Sequence, residues 1–514
     1  MTTGQRILFN ALASYGRTMF AMLLGLFSSR WVLASLGSID YGLMAVVGSL
    51  IVFISFLNGI SSTACARFFA LSIGRNDVDE TNWWFNTALS IHVVLPILLI
   101  IIGFPIGEWA IDNFLSIPPD RLDTAHWVFR FSLIAMFITM SSTPFLSMYT
   151  AKQNIVEVSI WGMATTLANF IFVFWLTSYQ GDAWRLYSVI TVAISILFNL
   201  IQVVRAKYLF PECSIDFQRW YNYERIIEVF SYAGWTLLGG LGWMFYNQGI
   251  SIVLNKFFPP ICYKSVNASY SVGGALAGYT KTLSNALMNA FLPEIVSLEG
   301  KGDRLGVLSQ VFRASRLSFT IIAVFAIPLM VETDFVLIMW LKNPPEYAVL
   351  FCRTFLFCFL VSRLVGGFDS AICATGRIKW YQIIMSFFSI SSVFVVALII
   401  YLGGGILSVC YTIITFEIIN MIGSIFFCHK IVGLSVYSWL NMVLKKAFIS
   451  LTISVVVVMI IELSITADLI WTHLLKCFLL FVSTGCICWF TLIEENERIQ
   501  LLKFAGKIKR MFVR

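Results

Sequence analysis

Three cations occupy positions that a bilayer disfavours. Arg17 falls near the middle of the first of about fourteen apolar segments, and Lys281 and Arg363 lie equally deep in later ones. A cation at mid-bilayer costs about 2.5–3.5 kcal/mol on insertion scales, so each needs a compensating reason. The cheapest is a water-filled hollow inside a helical bundle that receives an anion. Arg and Lys give phosphate oxygens charge-assisted hydrogen bonds there. On this reading the chain is a candidate transporter of a negatively charged substrate. Lys281 shares a helical face with Asn285 and Asn289 at i, i+4 and i+8, and Gly274 and Gly278 stand one heptad before Lys281 and Asn285 as a small-residue stripe. Arg353 lies nearer the outer end of the segment that holds Arg363. The alternatives are that Arg353 snorkels outward and that Arg363 pairs with Asp369 or Glu417 as a structural bridge.

The elements that must position these residues follow from composition. The 514 residues are 59% hydrophobic and 12% charged, with a mean hydropathy of +0.85. Soluble domains carry about 25% charged residues, so the expected class is an all-α polytopic membrane protein. A spanning helix takes about 20 residues. The expected spans of the first half are roughly 7–29, 42–69, 86–111, 126–149, 155–178 and 184–205. Those that follow are roughly 227–255, 263–291, 314–332, 347–372, 380–402, 405–428, 446–465 and 469–491. The stretch from Ile7 lacks a small-residue cleavage pattern and is expected to be a retained span. With both termini in the cytoplasm, inside segments hold 23 of the 35 Lys and Arg, against 8 outside and 4 within spans. That asymmetry supports the orientation. The basic tail from Lys503 to Arg514 would rest on anionic lipid or act as a stop-transfer flank. The cysteines include no C-x-x-C pair and read as small core residues.

An internal repeat is visible. Gly74-Arg75-Asn76-Asp77 follows the second span and Gly300-Lys301-Gly302-Asp303 follows the eighth, both of the form Gly-basic-x-Asp. Their position in the helix count suggests two six-helix halves with a site between them, as in alternating-access transporters. The expected organisation is 1–205 and 206–430 as pseudo-symmetric lobes, then 431–514 with two extra helices and the tail.

Further motifs carry a resemblance. Arg30 precedes Leu36-Gly37-Ser38-Ile39-Asp40-Tyr41-Gly42-Leu43, then come Ala66-Arg67-Phe68-Phe69-Ala70 and the Gly74–Asp77 turn. Ala151-Lys152-Gln153-Asn154 and Pro293-Glu294-Ile295 follow the fourth and eighth spans. With the helix count, this resembles the polysaccharide-exporter branch (Wzx, O-antigen flippase) of the multidrug/oligosaccharidyl-lipid/polysaccharide transporter superfamily, which is MATE-like in fold. The resemblance implies a two-lobed bundle around a central cavity in a bacterial cytoplasmic membrane. It implies export of undecaprenyl-pyrophosphate-linked oligosaccharide repeat units for O-antigen, capsule or exopolysaccharide assembly. Candidate partners are the lipid-linked oligosaccharide, membrane lipids, a polysaccharide polymerase and a chain-length regulator; no nucleic acid is expected. Arg17, Lys281 and Arg363 would bind the pyrophosphate, with Arg353, Asn285 and Asn289 as further candidates. Arg67 reads as a positive-inside anchor that the resemblance keeps as a candidate for substrate capture.

Acidic residues separate the branches. A cation-coupled exporter of drugs or small amphiphiles, the alternative on this fold, generally needs a carboxylate within the membrane. Asp40, Glu108, Asp112 and Glu157 all fall near span ends, and Asp40 reads as a cap of the second span. The deep acids are Glu417 and, less deep, Asp369. A cavity with net positive charge repels cationic drugs and attracts phosphate. Glu417, Asn420 and Ser424 share a face that could serve a proton or sodium ion, or act as interhelical glue. His92 could titrate with a proton gradient, or pack as a hydrogen-bonded core residue. Pro144, amid Ser and Thr, predicts a kink in the fourth span. Gly239, Gly240 and Gly242 leave a break or a bend open in the seventh, and the tryptophans at span ends read as interface anchors. No Gly-x-Ser-x-Gly, Walker loop or metal-ligand spacing occurs, so a transporter without a cofactor is expected rather than an enzyme.

Overall fold

The computed structural model describes residues 3–75, 77–260, 266–465, 469–495 and 497–499. Within these, the side chains at 3–12, 15, 57–64, 66, 67, 70, 71, 74, 231–239, 286, 289, 290 and 293 lie outside the described set. In lipid every backbone amide must find its partner within the chain, and α-helices satisfy that demand locally. The described residues are accordingly helical, with no strand among them. The chain forms two compact units, Met1–Ser269 and Tyr270–Arg514.

The first unit begins with α1 (Thr3–Gly74), which carries both of the first two expected spans in one helical run. That run is interrupted at Gly37, whose φ of 76° suits a residue without Cβ. There follow α2 (Val78–Trp109), α3 (Leu122–Ala151), α4 (Ile155–Leu176), α5 (Ala183–Leu209) and α6 (Tyr223–Phe257). Of the break or bend left open in the seventh span, no break is found: α6 is one uninterrupted helix. Asp40 does not cap a helix start. It pairs with Arg121 at 3.0 Å, beside Asp182. In the core, Trp84 stacks on Phe68 with ring centres 4.3 Å apart, and Trp184 is wholly buried. These two tryptophans are therefore packing residues, whereas Trp109 and Trp471 are exposed at helix ends as anchors would be. The segment between α5 and α6 is strapped onto α2. Asn82 donates to the carbonyls of Glu212 and Ser214, and Lys152 meets the buried Glu212 carboxylate at 2.5 Å.

The second unit contains α7 (Val266–Gly300), α8 (Arg304–Val331), α9 (Thr333–Leu341), α10 (Ala348–Arg363), α11 (Phe368–Ala374), α12 (Lys379–Tyr401) and α13 (Ile406–Val432). The short α14 (Val436–Trp439) leads to α15 (Lys445–Ser464) and α16 (Ile470–Thr491). The last helix runs antiparallel to α8 and is fastened at both ends by charge. Buried Arg316 meets Glu497 at 2.8 Å and Glu494 at 3.2 Å. At the far end, buried Glu332 meets His473 at 2.7 Å and Lys476 at 3.9 Å.

Among the described residues ten helices are long and apolar enough to cross a membrane, or eleven when the bent pair α10–α11 counts as one span. All fourteen expected spans fall on helices; the stretch Gly16–Phe56 within α1 is one of the ten. The two halves of the sequence repeat also share geometry. The Asp77 and Asp303 amides donate to carbonyls five residues back, Ser72 at 3.2 Å and Leu298 at 3.0 Å. Each Asp then caps the following helix, accepting from Glu80 and Gly306.

Candidate functional site

The second unit gathers two of the three deep cations. Helices α7 and α10 run side by side in parallel. Tyr270 packs edge-on against Phe351 and Phe355 at 5.4 and 5.3 Å. At Gly273 the backbones close up, and a Cβ there would stand 2.8 Å from the Cys352 amide nitrogen. The close approach thus falls on Gly273. Of the glycines expected to serve it, Gly274 makes only ordinary contact with Phe355, and Gly278 has nothing within 4 Å of its would-be Cβ. Two turns on, the Lys281 ammonium lies 5.0 Å over the Phe359 ring, a cation–π placement. One turn further, Arg363 Nη2 donates to Asn285 Oδ1 at 2.9 Å.

Arg363 ends α10. The span expected as one piece over 347–372 is broken immediately after it, bending by 47° into α11. Gly367 takes φ 88° in this turn, and the neighbouring Gly366 leaves no room for a Cβ, which would meet Ser318 Oγ at 2.6 Å. A break at membrane depth frees carbonyls that must be satisfied. Trp439 Nε1 donates to the Leu364 carbonyl at 2.9 Å and Ser315 Oγ to that of Gly366 at 2.5 Å. The guanidinium is thereby held at the end of a half-helix.

Glu417, on α13, lies within electrostatic range of both Lys281 and Arg363. No ion pair within 4 Å joins any of the three to another residue among the described residues. All three side chains are partly exposed, and Arg363 Nε is buried without a partner. Arg363 is therefore not locked to Asp369 or Glu417 as a bridge. What the site offers is two cations and an amide, free to give charge-assisted hydrogen bonds to an anion, with a single carboxylate nearby.

The other candidates separate. Arg17 lies in the first unit, its side chain draped over Gly162 of α4; a Cβ at Gly162 would stand 2.7 Å from Arg17 Cδ. Arg353 is a clamp: Nε donates to the Met330 carbonyl at 2.9 Å, and Nη2 pairs with Asp334 at 2.8 Å, which ties α10 to the end of α8. His92 is wholly buried and donates from Nδ1 to the Ala88 carbonyl at 2.8 Å. That is the geometry of a packing residue, although Nε2 has no partner. Asp369 sits on α11 beside the Cys373 thiol, 3.8 Å away, and Tyr381. Arg67 and Asn289 lie outside the described residues.

Sequence reasoning missed a hollow of about 380 Å³ in the first unit, lined by Ser55, Ser132, Thr139, Thr191 and Ser195 among apolar neighbours. Its only signal was a run of small hydroxyls on three helices, which reads equally well as backbone bonding. Thr191 and Ser55 do donate to their own helices.

No protein-family profile matches the chain. A curated relative is the uncharacterized membrane protein EpsK of Bacillus subtilis (strain 168), 19% identical over 317 residues, or 60% of this chain. The chain spans about three fifths of that relative's length (61%). Among solved structures, an inward-facing multidrug-resistance MATE family transporter of the MOP superfamily superposes with a TM-score of 0.65 at 12% identity, covering 82% of this chain and 98% of its own. The lipid II flippase MurJ, in an inward closed conformation, gives 0.61 at 14% identity, over 95% of this chain and all of that one. The fold is therefore MATE-like, that of MOP-superfamily transporters, in a multi-span membrane protein.

Proposed function

We propose that the protein is a flippase that moves an undecaprenyl-pyrophosphate-linked oligosaccharide from the inner to the outer leaflet of a bacterial cytoplasmic membrane by alternating access. The observation that carries this reading is the pairing of Lys281 with the Arg363–Asn285 unit at a helix break, without a carboxylate within 4 Å of either cation among the described residues. A pyrophosphate crossing the bilayer needs such donors, because its charge must stay solvated throughout. The likeness to a lipid II flippase supports the reading at the level of fold. Arg17 is a separate candidate for the same headgroup on its path. Both termini are cytoplasmic in this proposal, the lobes are the expected 1–205 and 206–430, and a polysaccharide polymerase receives the product.

A cation-coupled drug exporter is the less supported reading. Asp40, an acid at the end of the early spans, is engaged by Arg121, and the deep acid Glu417 faces two cations. The test is complementation of a strain lacking its polysaccharide flippase. Lys281→Ala or Arg363→Ala is expected to abolish surface polysaccharide while the protein still inserts, with Arg17→Ala tested alongside. Full export by the Lys281→Ala/Arg363→Ala double variant would remove these residues from the mechanism. Drug-resistance profiling of the same strains tests the alternative.

A further inference from the structure

The hollow in the first unit differs from the helices around it in how its hydroxyls are used. A Ser or Thr inside a membrane helix ordinarily turns back on a carbonyl one turn earlier, because lipid offers its proton no other acceptor. The surrounding helices do this. Ser142 donates to Ile138 at 2.7 Å, Thr143 to Thr139 at 3.1 Å, Ser188 to Trp184 at 3.0 Å and Thr191 to Tyr187 at 2.7 Å. Ser132 and Thr139 of α3 and Ser195 of α5 depart from the pattern. Their hydroxyls bond to no partner among the described residues, and all three border the same hollow of about 380 Å³.

We propose that this hollow binds one uncharged sugar residue of the substrate's glycan, a sugar that carries an apolar substituent such as an acetamido or deoxy-methyl group. The proposal rests on the flippase reading above and adds to it a second contact, with the glycan rather than the pyrophosphate.

The lining selects this class by what it contains and by what it lacks. No Lys, Arg, His, Asp or Glu borders the hollow among the described residues. A phosphate, carboxylate or ammonium brought there would lose its hydration without gaining a counter-charge. A hydrocarbon would leave the three hydroxyls unbonded, and buried polar groups without partners are unfavourable. A sugar hydroxyl both donates and accepts, as the Ser and Thr oxygens do, so the two sets can satisfy each other. Ile51, Met136 and Val192 also face the hollow, and burial of a methyl group against them is favourable. A sugar with one apolar substituent presents both surfaces at once. The volume falls at the small end of the range for small-molecule sites, as a single sugar unit requires.

Saturation-transfer NMR on the purified full-length protein in nanodiscs tests this with N-acetylglucosamine, the 6-deoxy sugar rhamnose, and glucose. N-acetylglucosamine, rhamnose or both are expected to bind, about fourfold more tightly than glucose, the scale of burying one methyl group. The triple variant Ser132→Ala/Thr139→Val/Ser195→Ala, in which no side chain grows, is expected to weaken that binding about tenfold through its lost hydrogen bonds. Ala135→Leu, which fills the hollow, is expected to abolish it. No binding of either sugar to wild type overturns the proposal, as does undiminished binding by the triple variant. Glucose bound as tightly as the other two overturns the choice of sugar. Binding of tetraphenylphosphonium in place of the sugars would make the hollow a drug site and overturn the proposal as well. If export still depends on Lys281 and Arg363, the flippase reading outlives any of these failures. Sugar binding by a protein that does not complement the flippase-null strain means the converse: the hollow stands and the flippase reading falls.

Discussion

Arg363 Nη2 donates to Asn285 Oδ1 at 2.9 Å, and this bond joins two helices at the point where one of them breaks. The amide orients the guanidinium without neutralising it. Asn285→Ala is expected to weaken pyrophosphate binding about tenfold, the scale of one hydrogen bond to a charged group. Asn285→Asp would pin Arg363 in an ion pair and abolish export. Binding and complementation assays on the two variants check the sign of each, and Asn285→Asp with normal export would remove the orienting role.

The break itself depends on an indole. Trp439 is buried and Nε1 satisfies the Leu364 carbonyl. Trp439→Phe keeps most of the packing and orphans that carbonyl, a loss of about 1–3 kcal/mol. The expected result is a lower melting temperature in detergent, seen equally in an Arg363→Ala background.

Removal of one partner from the buried charge cluster at the end of α16 is expected to be the most destabilising of these changes. Arg316→Met removes the closer cation of the buried Glu497 and leaves it only Arg313 at 3.5 Å, which costs about 3 kcal/mol, the low end for breaking a buried pair. Limited proteolysis is expected to release the segment after α15 first. A melting temperature within error of wild type would show the cluster to be energetically idle.

Gly162 makes room for Arg17, since a Cβ there would stand 2.7 Å from Cδ. Gly162→Ala is expected to displace the guanidinium and to reduce export as far as Arg17→Ala does. The double variant is then expected to be no worse than either single one, because both act through the same group. Additive losses would separate the two residues.

Cys213 reports on the strap between α5 and α6, in the connection outside the spans. Burial pushes its thiol up to about 12, with the adjacent Glu212 adding to the rise. Because the thiolate is the reactive form, maleimide labelling of Cys213, read in a variant whose other cysteines are replaced by serine, is expected to be silent at pH 8 in the folded protein and to appear on unfolding. Glu212→Gln should loosen the strap and let labelling begin in the native state.

Much of the architecture was legible in the chain because hydropathy is a local quantity. Each apolar run long enough to span became helix, and the two Gly-basic-x-Asp turns form the same hydrogen bond and cap. The break inside the expected 347–372 span was not legible for a physical reason. Three glycines in the seventh span permit a break but do not impose one, and α6 continues through them without interruption. The interruption after Arg363 persists because Trp439 and Ser315, distant in sequence, satisfy its carbonyls. Arg353 and Arg363 show the same limit, since two arginines ten residues apart on one apolar segment look equivalent. One is consumed by Asp334 and the Met330 carbonyl, and the other keeps free donors.

By itself, then, the sequence determined the class of protein, the run of its helices and the presence of cations that needed a purpose, since each follows from the free energy of moving a residue between water and lipid. Only the tertiary structure decided which cations stand together, which carboxylate watches them and which are spent on structure. Those outcomes depend on which helix packs against which, and at what register, and no local pattern of residues encodes that.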